Sequence, residues 1–349
     1  MFSFLAKKAP PAPGIITAHI NSQPITVDAK ETLLQAALRQ GIDFPHSCRV
    51  GGCATCKCRL IEGKVKELTD SGYLLSDDEL DQGYILACQS VPQTDVRIEV
   101  DLSRQPPQRS VTGRVVGQDR LTGDITRLRV QLDEALPYRA GQFASISIAA
   151  LPGINRTYSF ATPVQPDSQV SFLVRKVSGG IFSTLINEQG VVGQPVQVEG
   201  PLGDFWLRPA AAPLLLVAGG SGLAPLLAIL HEAVAAGETR PATLLFGART
   251  ESDLYALEEI SDLARHWQGM FRFIPVLSAA AADAPWTGER GLVTEKIPAL
   301  IEADTHAYLC GPPAMIDTAV ALLRRHGVAR ENIHADRFTT LHDSLAAAA

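Results

Sequence analysis

The sequence predicts a multidomain chain in which an α+β unit is followed by an antiparallel barrel and then by a doubly wound α/β sheet. Three observations carry this. Short strand patterns flank a tight run of cysteines in the first part of the chain. Strand patterns uninterrupted by a long helix fill the middle. Apolar strands alternate with helical stretches from about residue 212 to 338. At 349 residues and 46% apolar side chains, the chain has room for two or three domains with proper cores.

The first unit is placed at residues 15–102, after a flexible leader, 1–14. Strands over 15–20 and 23–27 flank the turn Asn21-Ser22, 32–40 is helical and closed by Gly41, and 97–100 is a last strand. This order suits a small β-grasp module. Between helix and last strand lie Cys48, Cys53 and Cys56, spaced Cys-x4-Cys-x2-Cys, with Cys88 about thirty residues on. That is the spacing of plant-type [2Fe–2S] ligation, a one-electron carrier. Three thiolates can come from one loop only if it curls around the cluster; Gly51 and Gly52 permit positive φ and leave room for sulfide. Ser47, Thr55 and backbone N–H groups are candidate donors to sulfur. A structural zinc site is the competing reading, but it would need a second ligand close to Cys88. A disulfide framework fits a short secreted chain better than this one. Cys58 reads as a buried small apolar side chain, with ligand exchange with Cys56 as the alternative.

The net charge of −6 argues against nucleic-acid binding. No apolar stretch reaches the roughly 18 residues of a membrane span. The first eight residues are too short for a signal h-region, so the expectation is a cytoplasmic protein whose thiolates stay reduced for cluster assembly. The acidic run Asp77-Asp78-Glu79-Leu80-Asp81 reads as a solvated face, or as a patch steering a basic redox partner.

A polar, proline-containing linker occupies 103–109. The barrel follows at 110–208, with strands over 112–117, 126–131, 142–148, 170–177 and 194–199. The α/β domain covers 209–338, with strands over 214–218, 243–246, 273–277 and 307–310 and helices over 224–236, 253–265 and 314–326; 339–349 is a tail. Parallel sheets of this kind are Rossmann-like and bind nucleotides at the carboxyl ends of their strands.

The α/β domain opens with a buried strand running into Gly219-Gly220-Ser221-Gly222 and a helix start. Glycines let backbone approach a pyrophosphate, and the helix N-terminus favours its charge. Alone, this is equally a tight strand–helix turn. Gly247-Ala248-Arg249 and Cys310-Gly311-Pro312-Pro313 repeat the arrangement after later strands, which packing alone does not explain. The barrel carries Arg156-Thr157-Tyr158-Ser159, joining a cation, an aromatic face and hydroxyls. About twenty residues on, Arg175-Lys176-Val177-Ser178-Gly179-Gly180 precedes a helix start, which suits a phosphate. Together they suit a flavin dinucleotide.

With these motifs in one chain, the sequence resembles the ferredoxin–NADP reductase family fused to an N-terminal plant-type ferredoxin. It is similar to the reductase components of bacterial multicomponent oxygenases, such as those of xylene monooxygenase, benzoate/toluate dioxygenase, phenol hydroxylase and soluble methane monooxygenase. Phe44-Pro45-His46, Gly291-Leu292-Val293-Thr294-Glu295 and Ala335-Asp336-Arg337-Phe338 share the family's style. The resemblance covers nearly the whole chain. It implies a β-grasp [2Fe–2S] domain, an FAD barrel and a Rossmann-like NAD domain.

The resemblance also implies roles. Arg156 would meet FAD phosphate, Tyr158 would pack on the flavin ring, and Ser159 would sit near flavin N5. Thr157, Val174, Lys176, Gly179, Gly180 and Ser183 would complete the FAD site. Gly220, Ser221 and Gly222 would lie near the nicotinamide, and Cys310, Gly311 and Pro312 would place a thiol beside it. Phe338 would cover the other flavin face, and Ser159, Cys310 and Phe338 are the catalytic candidates. NADP-specific relatives place an arginine after the serine that ends the third strand; here Ser278 is followed by Ala279-Ala280-Ala281, with Arg249 the one nearby cation, so NADH is favoured over NADPH.

The implied function is a monomeric NADH reductase passing electrons through FAD and the cluster to a terminal oxygenase of Rieske, diiron or P450 type. The alternatives are the same relay serving a non-oxygenase, such as a sugar deoxygenation enzyme, or a redox sensor.

Overall fold

The computed structural model describes residues 16–46, 49, 51, 55–71, 75, 77–100, 102, 108–280, 285–302 and 304–339. Leader, most of the linker, and tail, together with Ser47, Cys48, Gly52, Cys53 and Ala281, lie outside the described residues. The chain divides into two compact units, Met1–Gln105 and Pro106–Ala349; the barrel and the α/β domain belong to the second.

In the first unit, strands β1 (Ile16–Ile20) and β2 (Gln23–Val27) form a hairpin through Asn21 and Ser22, both at positive φ. Helix α1 (Leu33–Arg39) follows. It starts there because Thr32 and Gln35 cap each other reciprocally, and it stops before Gly41 at φ +76°. Then come β3 (Lys57–Glu62), β4 (Val65–Glu67), helix α2 (Asp77–Asp81), β5 (Tyr84–Leu86), β6 (Ser90–Pro92) and β7 (Val96–Glu99). The sheet runs β2-β1-β7-β3-β5, with β1 and β7 parallel, and β4 pairs with β6 separately. Leu33, Leu34, Ala36 and Ala37 of α1 pack with Ala18, Ile20, Val96 and Ile98 of the sheet, and Cys56, Cys58 and Cys88 belong to the same core. The acidic run is helical, and Glu79 spends its charge on Lys57 Nζ at 2.6 Å.

In the second unit, β8 (Arg109–Arg120), β9 (Ile125–Leu132), β10 (Phe143–Ile148), β11 (Asn155–Ser159), β12 (Gln169–Arg175) and β13 (Pro195–Leu202) form an antiparallel sheet in the order β11-β10-β13-β8-β9-β12. A bridge from Phe160 to Phe172 links its two edges, curling the sheet towards a barrel. Helix α3 (Ile181–Glu188) covers one end. Alternate residues point inward, so Val111, Val115, Leu128, Val130 and Ile146 meet Phe160, Phe172 and Phe182 in the barrel core.

The parallel sheet is built from β14 (Leu214–Gly219), α4 (Leu223–Ala235), β15 (Ala242–Ala248), α5 (Leu257–His266), β16 (Phe271–Leu277), β17 (Glu289–Arg290), β18 (His306–Gly311), α6 (Pro313–Arg325) and β19 (Ile333–Arg337), in the order β17-β16-β15-β14-β18-β19. The order reverses at β14, which places a crevice at the carboxyl ends of β14 and β18. The helix expected over 253–265 begins only at Leu257: Thr250 and Asp253 cap a short 3₁₀ turn, and Ala256 at φ +57° breaks the run.

Side chains bind the barrel to the parallel sheet. Arg127 of β9 donates to Glu259 of α5 at 2.7 Å, and His231 of α4 meets the same carboxylate at 2.8 Å. Burial alone would raise the Glu259 pKa, but His231 and Arg127 outweigh it and hold the carboxyl below its ordinary value. In the connecting segment, Arg208 and Arg139 both lie over Trp206, and the Arg208 backbone N–H donates to Tyr308 Oη at 2.7 Å. None of the described helices is long and apolar enough to cross a membrane.

Candidate functional site

At the cysteine end, the described ligand candidates are Cys56, just before β3, and Cys88, just after β5; both are buried. Cys48 and Cys53 lie outside the described residues. The Ala87 N–H donates to Cys56 O at 3.0 Å, and the Cys88 N–H reaches Cys56 Sγ at 3.4 Å, so the Cys88 backbone lies against the Cys56 sulfur. Gly51 sits at φ +78°, a conformation open to glycine. His46 is pinned between Phe44 O and the Arg49 guanidinium. Unbridged adjacent thiols with an N–H donor to sulfur fit an iron–sulfur cluster. Cys58 is buried in the sheet core, and burial, reinforced by nearby Cys88, pushes its thiol well above the ordinary range, which suits the core role.

The flavin motif lies on β11, paired to β10. Arg156 and Thr157 are exposed, and Arg156 makes no carboxylate pair among the described residues. Tyr158 is tilted against Phe182 at 5.6 Å, and burial keeps its hydroxyl protonated. Ser159 is buried, with Oγ 3.5 Å from Asp336 Oδ2.

The second barrel motif forms a loop leading into α3. Gly179 has φ +72°, and a Cβ on Gly180 would lie 2.7 Å from Ser183 Oγ. Ser183 Oγ donates to Gly180 O and accepts from the Val177 N–H, each at 3.1 Å, so this hydroxyl closes the loop. No side chain caps α3, which leaves its first backbone N–H groups for an anion. Lys176 is ion-paired to Glu188, and Val174 points into the barrel core. These uncapped donors fit a dinucleotide phosphate.

At the crevice, glycines bring backbones together. Gly220 has φ +55°, and its carbonyl accepts from Tyr255 Oη at 2.9 Å. A Cβ on Gly222 would overlap the Cys310 carbonyl and lie 2.8 Å from Gly311 N. Gly222→Ala is therefore expected to cost about 1–3 kcal/mol of stability, read as a lower Tm of the flavin-loaded chain together with weakened NADH binding. Ser221 is buried. Cys310 is fully buried; desolvation first, then Asp336, pushes its thiol well above the ordinary range, so it stays a neutral S–H. Pro312 caps α6, and the Phe338 N–H donates to Gly311 O at 2.9 Å, setting Phe338 beside Cys310 and Gly311.

The structure thus brings Ser159 of the barrel together with Cys310 and Phe338 of the parallel sheet. It adds a residue to which the sequence reading gave no role: Asp336, opposite Cys310 in the β18–β19 register and facing Ser159. Its position two residues before Phe338, on the same strand face, was the available signal.

Arg249 follows β15 with a side chain 64% exposed, 3.7 Å from Asp253 and 3.9 Å from Asp124. Ser278 and Ala279 donate backbone N–H groups to Ala248 and Arg249 carbonyls. A 2′-phosphate would meet one arginine already facing two carboxylates, which fits NADH.

The buried cysteines, the uncapped start of α3 and the crevice at the switch point fit an iron–sulfur flavoprotein oxidoreductase. Residues 18–93 match the family described as "2Fe-2S iron-sulfur cluster binding domain", 112–206 "Oxidoreductase FAD-binding domain" and 216–321 "Oxidoreductase NAD-binding domain". The chain belongs to the ferredoxin-fused flavin reductases that form the electron-transfer components of oxygenase systems. It is 40% identical over 332 residues to the xylene/toluene monooxygenase electron transfer component of Pseudomonas putida, covering 94% of this chain and 95% of that one. It is 36% identical over 327 residues to the reductase component of the naphthalene 1,2-dioxygenase system of Pseudomonas putida, covering 91% and 96%. Among solved structures it is similar to the Amycolatopsis cytochrome P450 reductase, with a TM-score of 0.73, 31% identity and coverage of 93% and 99%.

Proposed function

We propose that this chain is the NADH-dependent reductase of a multicomponent oxygenase that acts on an aromatic or hydrocarbon substrate. The observation that carries this reading is the meeting of Ser159 with Asp336 beside Cys310, where a flavin-motif residue touches the strand next to the nicotinamide turn. When bound, FAD would supply the exchange between two-electron hydride chemistry and single electrons, and a [2Fe–2S] cluster would supply one-electron transfer.

The protein's own work is positioning. Uncapped α3 and Arg156 would hold phosphates, Tyr158 offers an aromatic face, and the closely packed Gly219, Gly222 and Gly311 backbones form the turn against which the nicotinamide would lie. Ser159 offers a hydroxyl, held by Asp336, where flavin N5 would lie, and neutral Cys310 adds bulk without charge. Phe338 packs, partly buried, against the core that includes Cys310. Cys48, Cys53, Cys56 and Cys88 would hold the cluster that delivers electrons to the acceptor. The domain limits that suit this reading are 15–102, 110–208 and 209–338, in a cytoplasmic monomer.

Purified protein should show flavin and iron–sulfur absorption and reduce cytochrome c with NADH. A loaded chain without NADH-dependent reduction would reject the reading. Addition of the terminal oxygenase should then support substrate oxidation; cytochrome c reduction without transfer to any oxygenase would favour a different client. For nucleotide choice, Ala279→Arg is expected to raise kcat/KM for NADPH relative to NADH on the order of tenfold, the worth of one charged hydrogen bond, measured by steady-state kinetics with both nucleotides.

A further inference from the structure

We propose that Gln89 tunes the cluster: its side-chain amide donates an N–H···S bond to Cys88 and raises the cluster's reduction potential. This rests on the cluster reading above.

Gln89 follows Cys88 directly and is only 6% exposed. A primary amide is costly to bury unless its donors and acceptor find partners. Here its backbone N–H donates to Leu86 O at 2.9 Å, and its carbonyl accepts from the Leu68 N–H at 2.8 Å. The side chain is held between two groups: Nε2 lies 3.6 Å from Cys88 Sγ, and Oε1 accepts from Thr69 Oγ1 at 3.2 Å. Chemistry fixes the orientation of the amide. A ligating thiolate only accepts hydrogen bonds, whereas a threonine hydroxyl can donate or accept, so the NH₂ must face sulfur and the carbonyl must face Thr69.

Gly51 lies close over this amide. A Cβ on Gly51 would lie 2.8 Å from Gln89 Cγ and 3.2 Å from Thr69 Oγ1, so the Gly51 backbone rests directly on the glutamine stem. Gly51 has φ +78°, so the loop reaches this close approach through a glycine conformation. Gln89 is therefore wedged between Cys88, Gly51 and Thr69, with its amide dipole aimed at the Cys88 sulfur.

A neutral donor beside a thiolate stabilises the more negative oxidation state more strongly, which raises the potential. Gln89 forms and breaks no covalent bond and takes up no electron or proton; it biases where the single electron arriving from NADH by way of the flavin rests. The neighbouring N–H···S contact comes from the Cys88 backbone to Cys56, whereas the Gln89 contact comes from a side chain and can be altered by substitution.

The test compares wild type, Gln89→Met and Thr69→Val as full-length, flavin-loaded protein, using an EPR-monitored redox titration and resonance Raman of the Fe–S stretches. Methionine keeps the length and burial but has no donor. Thr69→Val leaves the amide in place and removes its clamp. The expected result is a lower midpoint potential and shifted stretches in Gln89→Met, a smaller shift of the same sign in Thr69→Val, and unchanged flavin reduction by NADH in both. Full cluster content with wild-type potential and stretches in both variants would overturn the proposal. If Gln89→Met fails to load its cluster, Thr69→Val decides: a lowered potential supports the proposal and an unchanged one overturns it. Wild-type protein with no cluster signal would instead reject the cluster reading itself.

Discussion

Cys88→Ala is expected to separate the two halves of the relay. Cys88 is buried and its backbone N–H contacts Cys56 Sγ, so its loss removes one of the four proposed cluster ligands. Changes in the outer shell of metal sites already cost about 10–100-fold, so transfer to an oxygenase or to cytochrome c should fall by more than about 100-fold. The flavin and nucleotide residues all lie in the other compact unit. NADH oxidation with ferricyanide, which can take electrons at the flavin, should therefore persist at close to the wild-type rate. Parallel assays with the two acceptors check this; equal loss in both would mean that the cysteine end supports the flavin end structurally.

Ser159→Ala should act at the opposite end. Ser159 is the barrel hydroxyl that faces Asp336, beside the buried Cys310 thiol. Losing one preorganised hydrogen-bonding group next to a reacting atom typically costs about 100-fold or more. Flavin reduction by NADH, followed by stopped flow, should slow by about that factor with little change in NADH affinity. The cluster should load normally and keep its potential. A variant with normal flavin reduction but slow transfer to cytochrome c would place Ser159 outside hydride transfer. Asp336→Asn should slow the same step, because the carboxylate orients the hydroxyl, and a double variant should lose less than the sum of the two, since the groups act as a pair.

Much of this was legible in the sequence because some chemistry imposes local spacing. Two irons need thiolates at close intervals, so spacing alone offers Cys48, Cys53 and Cys56 as ligand candidates, of which Cys48 and Cys53 lie outside the described residues. Parallel strands alternate with helices, so the doubly wound sheet and its glycine turns are readable, and the ends of α4 and α6 fall within a residue of expectation. What was not legible depends on contacts between distant residues. Ser159 and Asp336 are 177 residues apart and meet only because β19 docks beside β18. Tyr255 on Gly220 and Gln89 on Cys88 are likewise products of packing rather than spacing. The start of α5 was misplaced because the 253–265 pattern is amphipathic, whereas a capped turn and a left-handed alanine override propensity there. Val174 was assigned to the cofactor by resemblance, yet its side chain fills the barrel core.

The most direct test of the relay is to mix the purified, flavin-loaded chain with excess NADH under anaerobic conditions and follow flavin absorbance and low-temperature EPR on the same sample. Flavin bleaching accompanied by the paramagnetic signal of a reduced [2Fe–2S] cluster, the signal being absent from Cys88→Ala, is the expected result. Complete flavin bleaching with the cluster signal absent from the wild type as well would contradict the assignment of the cysteines as the exit for electrons from NADH.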